Sequence, residues 1–374
     1  MNKLSHSASN IFMDCPEKYR LHYQQRLRSK TQSAALFFGT AIDKAVGAMF
    51  INGDYKKVFE DTWMTQELNG KMIDLAGSTQ IVYAESDYDE ELIHDDAFQN
   101  LCNDYKLQDK LAVILSVNAI YDKKKEVGFE GLTLDEKSLL NEANWYCLLE
   151  KGKIMLECVK KHIMPNITEV LSLQEAIKLE NSEKDAITGY VDIVCKWKDS
   201  PTPIIFDFKT ATRQYDSDAV LKSPQLALYT HALSKKYNTN TAGFIVLHKT
   251  IKKNRTKICE KCSFDGSGTR HKTCSAELPT PGTKLKSIRC NGEWKETITP
   301  EATFQVLINE IPAQIQNLIV ENMDVINESI KTGIFPRNLG SCIKNYGKCQ
   351  FYNKCWLGSN EGLVKLDENT TNKK

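Results

Sequence analysis

Apolar and polar positions set out a hairpin most clearly between Ile187 and Phe208. Two β-rich runs, IVCKW and PIIFDF, flank the breaker cluster Asp199-Ser200-Pro201-Thr202-Pro203, the pattern of two strands joined by a turn. Residues 169–180, EVLSLQEAIKLE, predict a strand entering the core ahead of this hairpin, and AGFIVLH at 242–248 predicts a further buried strand. Leu226, Leu228 and Leu233 line an apolar helix that also carries Gln225 and Tyr229. Near the start, Ser7 and Ser9 are candidate N-caps for a helix bearing Ile11 and Phe12, which Pro16 interrupts or restarts. Gly39 precedes an apolar helix with Ala41, Ile42, Ala45 and Val46. Residues 51–165 read as mostly helical, and residues 300–332 as one long amphipathic helix with Phe304, Leu307, Ile308 and Ile311 on one side. Past Leu357 the chain is polar and aperiodic, which predicts a disordered tail. Strands interleaved with helices make the expected fold class α/β: a central mixed sheet flanked by helices, with an N-terminal helical region.

A chain of 374 residues holds one large domain with insertions, or two domains. A net charge of +1 supplies no global field for nucleic acid, so any such binding must come from local patches. The start, MNKLSHSASN, has no apolar signal region, and no run of 18 apolar residues occurs. No membrane partner is therefore expected, and a cytoplasmic location is. Twelve cysteines without a signal peptide argue against a disulfide scaffold. Cys102, Cys147, Cys158 and Cys195 sit in apolar or helical context and read as buried thiols, while the other eight form two sets. The acidic stretch 83–96, with His94 beside Asp95 and Asp96, reads as a solvated loop.

The hairpin carries the chemistry. Asp207 and Lys209 are two apart and share a strand face. A turn centred near Ser200 and Pro201 sets Asp192 opposite Lys209, so two carboxylates and one ammonium converge. Aspartates among apolar strand residues are costly unless paired or metal-bound. Gln225 and Tyr229, one helical turn apart, face the same way and can hold a phosphate or orient Lys209.

Gly189-Tyr190-Val191-Asp192, then Asp207-Phe208-Lys209, then Gln225 with Tyr229 resemble, in order and spacing, the core of the PD-(D/E)XK nucleases, RecB-like branch. The resemblance extends to Cys15-Pro16 and to a helix after Gly39. It implies a restriction-endonuclease-like fold and a DNA nuclease, expected to be an exonuclease, that leaves a 5′-phosphate. It further implies Mg²⁺ or Mn²⁺ on Asp192 and Asp207, and Lys209 orienting the attacking water or neutralising charge. Where the family usually has a histidine ligand, this chain has Asp43, an oxygen donor that still suits a hard cation. A glutamate position before the Gly-x-x-Asp strand falls on Gln174 or Glu175, and spacing does not choose between them. DNA is the implied partner, and with no P-loop present any unwinding needs a helicase or recombination partner. The competing class is a non-catalytic DNA-binding or protein-interaction module on the same fold. Asp43 favours that reading; the intact Asp192, Asp207 and Lys209 oppose it.

Cys342-x6-Cys349-x5-Cys355 has three closely spaced thiols, with Cys15 as the candidate fourth. AddB-type and CRISPR-adaptation nucleases place one cysteine before the core and three after it, around a [4Fe–4S] cluster. The resemblance implies that cluster here, although x6 departs from the usual x2. The second set, Cys259-x2-Cys262-x11-Cys274-x15-Cys290, opens with a knuckle suited to Zn²⁺, with His271 an alternative fourth ligand. Beside it, Lys252, Lys253, Arg255 and Lys257 are candidate phosphate contacts. The expected organisation is a nuclease core over 1–249, a zinc-binding insertion over 250–296, a C-terminal helix and iron–sulfur segment over 297–357, and a disordered tail over 358–374.

Overall fold

The computed structural model of the chain describes residues 3–68, 71–74, 81–82, 110–128, 131–180, 186–259, 294–344 and 347–366. In chain order its main elements are β1 (Lys3–Ser5), α1 (His6–Asp14), α2 (Pro16–Tyr19), β2 (Leu27–Ser29), α3 (Ala34–Phe50), α4 (Tyr55–Met64), α5 (Lys110–Val127) and α6 (Leu134–Cys158). There follow β3 (Ile167–Glu180), β4 (Ala186–Trp197), β5 (Ile204–Ala211), α7 (Pro224–Tyr237), β6 (Thr241–Cys259), β7 (Trp294–Glu310), α8 (Ala313–Lys331), α9 (Tyr352–Leu357) and β8 (Leu363–Lys365).

The central sheet runs β1-β4-β5-β6-β7, with β3 on the other edge of β4. It is mixed: β1 lies parallel to β4 and β5 parallel to β6, while the other pairs are antiparallel. Successive side chains of a strand face opposite ways, so the sheet builds a core on each side. Ile193, Phe206, Ile245 and Leu247 pack with Phe38, Ile42, Trp63 and Trp145 of α3, α4 and α6. Val194, Ile205 and Val246 pack with Phe12, Leu226, Tyr229 and Met323 of α1, α7 and α8. A third, small cluster joins Leu21, Leu27, Phe351 and Leu363, with Cys349 and Cys355 against it.

The predicted hairpin forms as β4 and β5, and the strand expected over 169–180 is β3. Several local expectations change. The first helix is capped by Ser5, whose Oγ accepts from Ala8 N at 3.1 Å, because Ser5 ends β1 in extended backbone. Ser7 and Ser9 lie inside that helix. Pro16 does restart the chain as the first residue of α2, where its missing N–H is harmless. Gly39 sits within α3, whose N-cap is Ser33. The helix expected over 300–332 is β7 through Glu310 and α8 from Ala313, with Pro312 between them. Phe304 and Ile308 fit both periods, Leu307 falls on the opposite face of the strand, and pairing of β7 along the length of β6 decides for the strand.

Because β6 continues to Cys259 and β7 begins at Trp294, the insertion expected from residue 250 starts as an arm of the sheet. Its interior, with Cys262, Cys274, Cys290 and His271, lies outside the described residues, as does the acidic stretch 83–96. The tail is not aperiodic throughout: Leu363–Lys365 pairs with Leu27–Ser29 as β8. Three helices in the described parts of 51–165 match expectation, but Thr65–Leu68 and Lys71–Asp74 form a hairpin there.

Gly243 lies in β6 between β5 and β7, where a Cβ would sit 2.5 Å from Leu307 O and 2.6 Å from Phe206 Cε1. Gly243→Ala therefore overpacks the sheet and is expected to lose about 1–3 kcal/mol, read from urea unfolding; an unchanged midpoint would show that the strands separate freely here.

Candidate active site

The site forms where β4 and β5 part. On one edge β4 pairs with β3 along nearly its whole length. Its other edge is shared: β1 takes Ala186–Thr188, and β5 takes Ile193–Cys195. Between them Gly189–Asp192 has neither strand as a ladder partner. Asp192 closes the ladder with its side chain, Oδ2 accepting from Phe208 N at 2.8 Å. The register Ile193↔Phe206 extends to place Asp192 opposite Asp207, not opposite Lys209 as the turn position suggested. The turn is centred between Asp199 and Ser200, one residue earlier than the estimate centred on Ser200 and Pro201.

α7 locks the other groups in place. Ser223 caps it, and Pro224 occupies its first turn. Gln225 Nε2 donates to Asp207 Oδ1 at 2.6 Å and to Tyr229 Oη at 2.9 Å, while Gln225 Oε1 accepts from Lys209 Nζ at 3.0 Å. One amide thus holds the carboxylate, the ammonium and the phenol. Tyr229 in turn lies over Gly189: a Cβ there would come within 3.1 Å of Tyr229 Cε1. The three sequence motifs are one packed unit, and Gly189 makes room for the ring.

Lys209 Nζ stands 2.6 Å from Asp207 Oδ2. This buried oxygen therefore has the Lys209 ammonium as its partner. Asp43 reaches the site from α3 and accepts from Gln174 Nε2 at 3.2 Å. Gln174 adopts φ 47°, an irregularity that breaks the β3–β4 ladder between Leu173↔Ile193 and Glu175↔Val191. Glu175 is engaged by Lys236 Nζ at 2.5 Å and by the Tyr237 hydroxyl. Gln174, not Glu175, is therefore the residue of this pair that reaches Asp43.

Burial and mutual repulsion raise the carboxyl pKa values. Asp192 is pushed up to about 8 by burial, then by Asp207 and Asp43. Asp207 is raised by burial against the opposing pull of Lys209, and Asp43 by burial and Asp207. Sequence reasoning missed His6, the first residue of α1. Burial, then the charge of Lys209, holds its pKa down to about 4, and its buried Nε2 has no hydrogen-bond partner. Nothing local marks His6; only the pairing of β1 with β4 brings it here.

Among the described residues no group of three or more His, Cys, Asp or Glu is arranged to hold a metal ion as it stands. The donor chemistry nonetheless suits a hard cation: Mg²⁺ commonly uses one or two carboxylates and keeps several waters. Asp192 with Asp207, set opposite each other where β4 and β5 part, meets that requirement. Cys15 and the C-terminal Cys342, Cys349 and Cys355, brought together from the two ends of the chain, line one cavity of about 380 Å³ with Lys18, Phe351 and Trp356. Cys349 N donates to Cys342 O at 2.8 Å, and Asn338 N approaches Cys15 Sγ at 3.4 Å. Of the second cysteine set only Cys259, the end of β6, lies within a described element. Strand alternation puts Lys252 and Lys253 on opposite faces of β6; Arg255 and Lys257 follow in the same strand, opposite Ile298 and Glu296.

These pKa values carry a stability signature. Without metal, Asp192 keeps a proton in the fold that the unfolded chain releases near its ordinary 3.8. The native state binds more protons between pH about 4 and about 8, so stability falls as pH rises through that window. Asp192→Asn is expected to flatten part of this fall and to raise the melting temperature in chelator at its upper end. Parallel wild-type and variant curves would remove Asp192 as the cause.

A family model described as PD-(D/E)XK nuclease superfamily matches residues 3–329, spanning every element of the carboxylate site. No curated protein matches the chain. Among the described residues no helix is long and apolar enough to cross a membrane. The match runs over most of the chain and over the motifs that Gln225 ties together, so the chain belongs to the PD-(D/E)XK nuclease superfamily.

Proposed function

We propose that the protein is a divalent-metal-dependent DNA nuclease of the RecB-like branch, hydrolysing phosphodiester bonds and working as an exonuclease on strand ends. The observation that carries this reading is the Lys209–Gln225–Asp207 network set beside Asp192. Asp192 and Asp207 would hold Mg²⁺ or Mn²⁺, with Asp43 helping. The cation, when bound, supplies Lewis-acid polarisation of the phosphoryl oxygen and a lowered pKa for the attacking water. Lys209 is fixed by Gln225 and Asp207, so its charge stands ready where negative charge develops on the scissile phosphate, without reorganisation during the reaction. Tyr229 supports Gln225 and acts through it. His6, held neutral, adds no second positive charge beside Lys209.

The thiols of Cys15, Cys342, Cys349 and Cys355 would hold a [4Fe–4S] cluster in the cavity they line, which is the arrangement the AddB-type and CRISPR-adaptation resemblance implies. Cys259, Cys262, Cys274 and Cys290 would hold one structural Zn²⁺, steadying Lys252, Lys253, Arg255 and Lys257 against the DNA backbone. A helicase or recombination partner would supply unwinding.

Cleavage of single-stranded, duplex and flapped DNA with and without Mg²⁺ tests the central reading. Asp192→Ala, Asp207→Ala and Lys209→Ala are each expected to reduce turnover by roughly a hundredfold or more, and chelator should do the same to the wild type. Asp43→Ala should raise the metal concentration needed for half-maximal rate. Near-wild-type turnover in Asp207→Ala would overturn the assignment, and DNA binding without cleavage in the wild type would favour the non-catalytic module. Protein purified anaerobically should carry about four irons per chain, and loss of iron in Cys349→Ser should lower the melting temperature. An iron-free, well-folded anaerobic preparation would rule out the cluster.

A further inference from the structure

Beside the carboxylates, the β3–β4 pair turns over. Residues two apart in a regular strand share a face. Yet Val191 is buried in the core that holds Leu226 and Tyr229 of α7, and Ile193 in the core that holds Phe38 and Ile42 of α3. The partner strand does the same. Leu173, opposite Ile193, packs on the α3 side, while Glu175, opposite Val191, meets Lys236 and Tyr237 of α7. The reversal falls at the level of Gln174 and Asp192. There Asp192 leans across to Phe208 N of β5, and Gln174 reaches out to Asp43 of α3.

Gln174 is exposed and holds φ 47°; among the described residues it is the one non-glycine with a positive φ inside a strand. That backbone is costly for any residue with a Cβ, and strain of this kind clusters at functional sites. The Gln174 amide donates from Nε2 to Asp43 Oδ1 at 3.2 Å, the one hydrogen bond of the Asp43 carboxyl among the described residues. With Oδ1 held, the plane of the carboxyl is fixed and Oδ2 remains for a cation. The type of donor matters. An amide N–H orients a carboxylate without neutralising it. A lysine or arginine at position 174 would satisfy the Asp43 charge and compete with a cation. A glutamate would set a fourth carboxyl among three that already oppose one another's ionisation.

We propose that Gln174 is a positioning residue of the cation centre: its amide aims the Asp43 carboxyl so that Asp43 joins Asp192 and Asp207 in holding a divalent cation. This role rests on the metal-dependent nuclease reading, and it names the residue that decides whether Asp43 takes part. Groups that hold a metal are commonly fixed by a hydrogen bond of this kind, and removing the partner lowers metal affinity by about ten- to a hundredfold.

The test is Mn²⁺ binding to the full chain without DNA, read from the paramagnetic resonance signal of the free ion, with melting temperatures in chelator measured alongside. The binding that Asp207→Asn removes is that of this centre. Gln174→Gly is the informative variant, because glycine adopts a positive φ without strain and lacks the amide. Its melting temperature in chelator should not fall, while Mn²⁺ affinity should drop by about tenfold; a glutamine with a purely structural role would not combine retained stability with lost affinity. Gln174→Glu should move the other way, lowering the melting temperature in chelator through added repulsion and raising Mn²⁺ affinity above wild type, since ligand charge tunes affinity. Wild-type affinity in Gln174→Gly would overturn the role, as would a wild type with no Mn²⁺ binding that Asp207→Asn removes. Magnesium-dependent cleavage of DNA is scored separately. A protein that does not cleave but shows the Gln174-dependent affinities fails the nuclease reading and keeps the positioning role, whereas one that cleaves with equal affinities does the opposite.

Discussion

The parting of β4 from β5 beyond Ile193↔Phe206 is the constraint on which the rest of the site depends. A sheet that stayed zipped would pair Asp192 and Asp207 through their backbones and leave no recess. Instead β1 takes the same edge of β4 up to Thr188, and the four-residue stretch between is closed by a side chain, Asp192 on Phe208 N. Two carboxylates are thereby held at one point by main-chain geometry, which is stiff, rather than by long side chains, which are not. α7 then completes the site with a single amide that touches three functional groups.

This arrangement is held against its own electrostatics. Three carboxyl groups near one lysine, most of them buried, each disfavour ionisation of the others. The surrounding apolar core supplies the stability that such a cluster lacks: Ile193, Phe206 and Ile205 are fully buried on the two sides of the same strands. A site of this kind is poised to exchange a proton for a cation.

Much of this was legible in sequence because it is local. The hairpin, the Asp-x-Lys strand and the Gln-x-x-x-Tyr helix lie within about forty residues and carry strong turn, alternation and capping signals. What was not legible depends on long-range pairing or on one-residue register. The position of Asp192 opposite Asp207 follows from where the turn is centred, and a shift of that centre by one residue reassigns every partner. Gln174 rather than Glu175 reaches Asp43 because the β3–β4 register sets residue 174 level with Asp192. His6 arrives through β1, whose three residues carry no distinctive pattern. Phe304–Ile311 satisfied a helical stripe as well as a strand, and only the presence of β6 alongside resolves the choice.

The clasp between the two ends of the described chain has a consequence for how the molecule comes into being. Asn338 Nδ2 donates to Asp14 O across 324 residues of sequence, next to the four thiols and close to the β2–β8 pair. Ribosomes add roughly 5–20 residues per second, so Cys15 would stand without its three companions for about a quarter of a minute to a minute during translation. For that interval α1, α2 and β2 are an unfinished face, and β2 gains its β8 partner only after synthesis has passed Lys365.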